Sequence, residues 1–115
     1  MSKTYRYRDI KPKVAANTMA KLEVKFISDG NTGVTNVEIE SQGRKSLDNE
    51  GMIELGTGDQ LKGKIVSVGA KFANPVPEED TIKIDFLVNG KVVVGHENSK
   101  SESDQPRISI IMNFQ

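Results

Sequence analysis

Residues 82–94 constrain the fold more than any other part of the chain. Ile82, Ile84, Phe86 and Val88 alternate with Lys83 and Asp85, Asn89-Gly90 follows, and Val92, Val93 and Val94 lead the chain away again. Period-two alternation marks a strand with one buried face. Asn-Gly is the pair that a type I′ turn favours, because both central residues need positive φ. The segment therefore reads as a two-residue β-hairpin. Counting outward from the turn, Lys91 faces Val88, Val92 faces Leu87, Val93 faces Phe86, Val94 faces Asp85 and His96 faces Lys83.

The same alternation recurs along the chain. Tyr5 and Tyr7 alternate with Arg6 and Arg8, and Leu22, Val24 and Phe26 with Lys21, Glu23 and Lys25. Val37 and Ile39 alternate with Glu38 and Glu40, residues 51–55 form a short candidate strand, and Val66, Val68, Ala70 and Phe72 share one face of residues 61–72. Ile108, Ile110, Met112 and Phe114 complete the set. Turn-forming clusters at 29–33, 56–59, 74–80 and 98–106 separate these runs. Residues 14–21 have the composition for a helical turn or two, with an irregular connection as the equal alternative. Seven or eight short strands without a long helical period predict an all-β fold. The expected form is an antiparallel β-sandwich of immunoglobulin-like architecture, with a small β-barrel as the alternative. At 115 residues the chain has room for one core. Residues 14–115 are read as a single sandwich domain and residues 1–13 as a basic N-terminal arm.

Charge is zero overall but unevenly spread. Residues 1–13 carry +4, residues 74–115 carry −3 and the middle carries −1. Zero cysteines exclude disulfides and thiolate metal sites. No run approaches the roughly 18 apolar residues of a membrane span, and the basic start is not followed by an apolar signal region. A cytoplasmic location is the expectation, or a place in an assembled extracellular or viral particle.

Chemistry-bearing residues are few. His96 is the only histidine. The hairpin count sets Asp85 diagonal to it, a conceivable acid-base pair that lacks an identifiable nucleophile; a lone histidine at a strand end reads as a surface residue, and no catalytic residue is assigned. Asp29, Asn31 and Glu40 match positions 1, 3 and 12 of a calcium loop, but Gly33 and Val34 occupy positions that need an oxygen ligand and a glycine. Looser calcium sites from Asp48, Asn49 and Glu50, or from Glu78, Glu79 and Asp80, read equally as solvated turns. Neither metal nor cofactor is expected. Tyr5, Arg6, Tyr7 and Arg8 have the aromatic and basic interleaving that holds nucleic acid. A pI near 6.6 argues against that partner. The bland reading is an edge strand with its tyrosines packed inward and its arginines guarding the edge.

These features predict a non-enzymatic structural or interaction subunit, a protomer of an oligomer, fibre, tube or shell. It would contact other copies or a protein partner through its sheet edges and through Tyr5, Arg6, Tyr7, Arg8, Lys11 and Lys13. The alternative is a monomeric module that grips a protein or small ligand with the loops at 29–33, 74–80 and 98–106, with calcium as a possible aid.

Overall fold

A computed structural model describes residues 2–115. The all-β expectation holds: nine strands form two facing sheets, mostly antiparallel and not closed into a barrel. In chain order they are β1 (Thr4–Ile10), β2 (Met19–Phe26), β3 (Thr32–Ile39), β4 (Gly43–Asp48) and β5 (Gly51–Thr57). The single-turn helix α1 (Gly58–Leu61) follows, then β6 (Ile65–Ala73), β7 (Thr81–Val88), β8 (Lys91–Ser99) and β9 (Arg107–Asn113). One sheet has the order β1-β9-β6-β3-β4 and the other β5-β2-β7-β8. The pairing of β1 with β9 is parallel.

The buried faces are the ones that the alternation marks. Leu22 and Val24 of β2, Ile82, Ile84 and Phe86 of β7, Val66, Val68 and Phe72 of β6, and Ile108, Ile110 and Met112 of β9 interlock between the sheets. Burying each large aliphatic or aromatic side chain stabilises the fold by about 1.5–3 kcal/mol. The Phe72 ring lies 5.8 Å from Phe26 and 6.2 Å from Phe86, centroid to centroid, so an aromatic chain links the two layers. Asn89 and Gly90 both have positive φ, 50° and 82°, as the primed hairpin turn requires.

Two elements differ from expectation. Residues 43–48 form a strand although five of the six are exposed. This β4 is an outer strand held by backbone pairing to β3, from Ile39 opposite Gly43 to Val34 opposite Asp48, so burial leaves no alternation to read. Residues 14–18 take the irregular alternative. The helical turn lies instead at 58–61, where Thr57 and Gln60 form a reciprocal capping box. That helix holds the preceding connection in place: Gly58 donates its backbone N–H to Thr18, and Asp59 donates to Ala16. A Cβ on Gly58 would lie 2.3 Å from the carbonyl oxygens of Val14 and Ala15, so only glycine lets this connection approach.

Among the described residues two buried hydroxyls make no hydrogen bond, those of Tyr5 and Thr35, and the second lies in the core. Thr35, fully buried on β3, has a hydroxyl that makes no hydrogen bond. Leaving a hydroxyl unpaired in an apolar setting costs about 1–3 kcal/mol. Thr35→Val keeps the shape and removes the group, so chemical denaturation should show a gain of about 1 kcal/mol. Equal or lower stability would show that the hydroxyl finds a partner in solution.

Candidate functional site

The two sides of the sandwich close by different means. Along one, β4 leads directly into β5 and the Lys45 ammonium donates to the Glu54 carbonyl at 2.6 Å. Along the other, β1 of one sheet faces β8 of the other, and the closure is made by the side chains of Tyr5, Tyr7 and His96. Tyr7 and His96 approach within 2.6 Å, hydroxyl oxygen to Nδ1. The Tyr5 ring meets the His96 ring edge to face at 4.7 Å.

His96 is not the surface residue that the hairpin count predicts. Leu87 pairs with Val92, but Phe86 pairs with Val94, so β8 holds one extra residue at Val93. A bulge of one residue moves everything beyond it to the opposite face. His96 consequently lies opposite Ile84 and is 1% exposed. Asp85, now opposite Gly95, belongs to the other face, and the conceivable acid-base pair with His96 does not form. The sequence does hold a signal for this. Three consecutive valines cannot alternate, and counting back from His96 and Asn98 through Val94 gives an inward face as readily as counting forward from the turn.

The tautomer of His96 follows from its neighbours. Asn98 donates both amide hydrogens to backbone carbonyls, those of Ser99 at 2.8 Å and Ser103 at 2.9 Å. Its Oδ1 must therefore accept, and His96 donates to it from Nε2 at 2.7 Å. A neutral ring then has Nδ1 free to accept the Tyr7 hydroxyl proton. Burial lowers the His96 pKa below its usual value near 6.5, outweighing the hydrogen bond to Asn98 and the nearby carboxylates of Glu102 and Glu97. Burial likewise raises the Tyr7 phenol. Burial together with the Glu102 carboxylate raises Tyr5. Next to this group Lys3 pairs with Glu102, which holds that carboxyl below its usual range, and lies 5.2 Å from the Tyr5 ring centroid. Both ring nitrogens of His96 are thus engaged within the protein.

The six partner-binding candidates fall in three places. Tyr5 and Tyr7 are half-buried and face inward against His96. Arg6 and Arg8 are exposed, with Arg6 in register with Ser109 on the outer face of the sheet. Lys11 and Lys13 follow the β1 edge and line a cleft of about 400 Å³ with Asp9, Ile10, Val14, Val88, Lys91 and Val93. Irregularities on both strands open it, the bulge at Val93 and a second shift between Tyr7 and Ile10 where Asp9 takes φ 61°. The floor is apolar, and the rim carries Lys11, Lys13 and Lys91 against the one carboxylate of Asp9, net +2. Among the described residues the ion pairs are Lys3–Glu102, Arg44–Glu38 and Lys83–Glu97, so none of the rim lysines has a counter-ion.

Strand directions sort the loops by end. Those at 11–18, 40–42, 58–64 and 89–90 share the end with the cleft. They hold four lysines against Glu40 and Asp59, net +2. The loops at 27–31, 49–50, 74–80 and 100–106 share the opposite end. With Lys3, which precedes β1 at this end and pairs with Glu102, they set seven carboxylates against Lys3 and Lys100, net −5. The three loops singled out as a gripping surface therefore share one end, and the first two are joined by the Asn74 amide, which donates to the Asp29 carbonyl at 2.7 Å and to Asn31 Oδ1 at 2.8 Å. The calcium-loop count does not survive folding. Asp29 and Glu40 flank the eight-residue β3, about 25 Å apart along it, and the Asn31 side chain is spent on Ser28 and Asn74. Among the described residues no group of three or more histidines and carboxylates is placed to hold a metal ion.

No family model, curated protein or solved structure matches this chain.

The histidine network sets a pH dependence. With its folded pKa below the unfolded value near 6.5, His96 binds a proton more readily in the unfolded chain, so its contribution is complete above that value and declines as pH falls through it. The decline should reach at most about 1.4 kcal/mol per pH unit. His96→Phe, though less stable throughout, should show no slope between about pH 6.5 and 5, where the carboxylates are still ionised. Tyr7→Phe at neutral pH should cost about 1–2 kcal/mol. Urea titrations at several pH values measure both, and an unchanged slope in His96→Phe would mean that another group titrates.

Proposed function

We propose that the protein is a non-enzymatic structural or interaction subunit that binds a neighbour through the basic end of its sandwich. The supporting observation is the cleft between residues 9–14 and the tip of the β7–β8 hairpin. It combines an apolar floor of Ile10, Val14, Val88 and Val93 with three lysines that lack counter-ions. Its volume of about 400 Å³ falls in the usual range for ligand-sized clefts, roughly 300–1,000 Å³. Of the N-terminal segment, Lys11 and Lys13 carry the contact, because Tyr5 and Tyr7 are committed to His96. The engagement of both His96 nitrogens supports a structural role for that histidine.

A second reading rests on the acidic end. There the loops at 27–31, 74–80 and 100–106 are fastened to one another, the Lys100 ammonium donating to the Val76 carbonyl at 2.8 Å and the Lys100 amide to the Asp80 carbonyl at 2.8 Å. Rigid loops on a sandwich make a recognition surface, and a cationic partner would suit this one.

Removing residues 1–13 is a poor test of the first reading. Tyr7 and Ile10 pack on the core and β1 pairs with β9, so truncation strips a side of the sandwich. Lys11→Glu with Lys13→Glu leaves the strand in place. The solution mass of the full chain should rise with concentration at low salt, and this double variant should remain at monomer mass under the same conditions. Identical masses for both proteins would rule out the basic end as the contact.

A further inference from the structure

The binding reading leaves the neighbour unnamed, and the far end of the same molecule has the chemistry to fill the cleft. Resting on that reading, we infer that the occupant is the loop at 74–80 of a second copy, so that molecules stack head to tail. The segment Pro75-Val76-Pro77 is followed by Glu78, Glu79 and Asp80; both prolines are exposed, as are Glu78 and Asp80. Among the described residues none of these three carboxylates has an ion pair. The cleft offers the converse, four aliphatic side chains under Lys11, Lys13 and Lys91. Apolar surface meets apolar surface, and three anions meet three lysines whose charge exceeds that of Asp9, the one carboxylate on the cleft rim.

The loop is also held ready. Val76 donates its N–H to Asn74 Oδ1 at 3.0 Å, its carbonyl accepts from Lys100 at 2.8 Å, and Asp80 accepts the Lys100 amide. Gly30 lets it seat closely, since a Cβ there would lie 2.1 Å from the Val76 side chain. A preformed segment loses little conformational freedom on docking, which favours association.

Cleft and loop are different surfaces at opposite ends of a molecule 45 Å long. The contact therefore has no two-fold symmetry, and a head-to-tail contact propagates unless its rotation closes a ring. Its strength is bounded by its size. The sandwich is 21 by 20 Å across, so the two ends together bury roughly 800 Å², less than the roughly 1,200 Å² of a stable standard interface. The contact is accordingly weak and salt-sensitive, and a filament or tube built on it would draw on many such contacts or on additional lateral ones.

Complementary charge reversal tests this directly. One variant carries K11E, K13E and K91E, the other E78K, E79K and D80K. Each places like charges on the cleft and on the 78–80 segment and should associate at least tenfold more weakly than the native chain in sedimentation at millimolar protein and low salt. Mixed one to one, they should associate again in alternation, and recovery in the mixture shows that both fold. Raising ionic strength from about 0.01 M to about 1 M, which shortens the screening length from roughly 30 Å to roughly 3 Å, should dissolve the native and mixed assemblies alike. A native chain that associates, with association undiminished by the E78K, E79K, D80K reversal or not restored in the mixture, would overturn the head-to-tail contact and leave self-association standing. A native chain that stays monomeric throughout would overturn both.

Discussion

A neutral imidazole shut between two sheets governs one side of this sandwich. His96 accepts from Tyr7 on the facing strand, donates to Asn98 on its own strand, and through Asn98 reaches the carbonyls of Ser99 and Ser103. Every donor and acceptor along that chain has one assignment, because the Asn98 amide hydrogens are already directed to backbone oxygens. Individually these bonds are each worth only about 0.5–1.5 kcal/mol. Broken at one point, the chain leaves buried polar groups unpaired, at a cost of about 1–3 kcal/mol for each such group. The first strand depends on it more than most, since β1 has a backbone partner on one side only, in β9.

Bulges shape both the interior and the exterior of that side. The extra residue at Val93 turns His96 inward and at the same time opens the apolar floor of the cleft. The irregularity at Asp9 bends the end of β1 away from regular pairing, so both β1 and β8 are irregular at the end that holds the cleft. Irregular edges resist indiscriminate strand addition. Association through end surfaces of opposite charge is compatible with edges guarded in this way, whereas association by strand pairing would have to overcome them.

Charge separation along the long axis is the second organising property. The chain is neutral as a whole, and its charge segments in sequence are modest. Folding gathers four separate acidic loops at one end, because consecutive strands run in opposite directions and every second connection returns to the same side. It gathers lysines from the N-terminal connection, the α1 region and the hairpin at the other.

Local pattern sufficed to read the two-layer fold. The inward faces of β2, β3, β6, β7 and β9 follow from the period-two spacing of their apolar residues, interrupted only by residues such as Leu87 and Ile111, and the hairpin turn from the backbone demands of Asn89-Gly90. These are short-range properties, fixed by pleat geometry and by sterics at one or two residues. β4 was invisible because pairing, and not burial, holds it. The face of His96 escaped for a related reason: a single bulge among three valines reverses it, and only the packing of Phe86 against Val94 in place of Val93 selects the register. The cleft was legible only as Lys11 and Lys13, since its other walls come from β7 and β8, more than seventy residues away. The sequence by itself determined which apolar residues of the alternating strands face the core; the tertiary structure alone decided that polar residues such as His96 join them, which of these meet across it and which charges share an end, because all of this depends on contacts between strands remote in the chain.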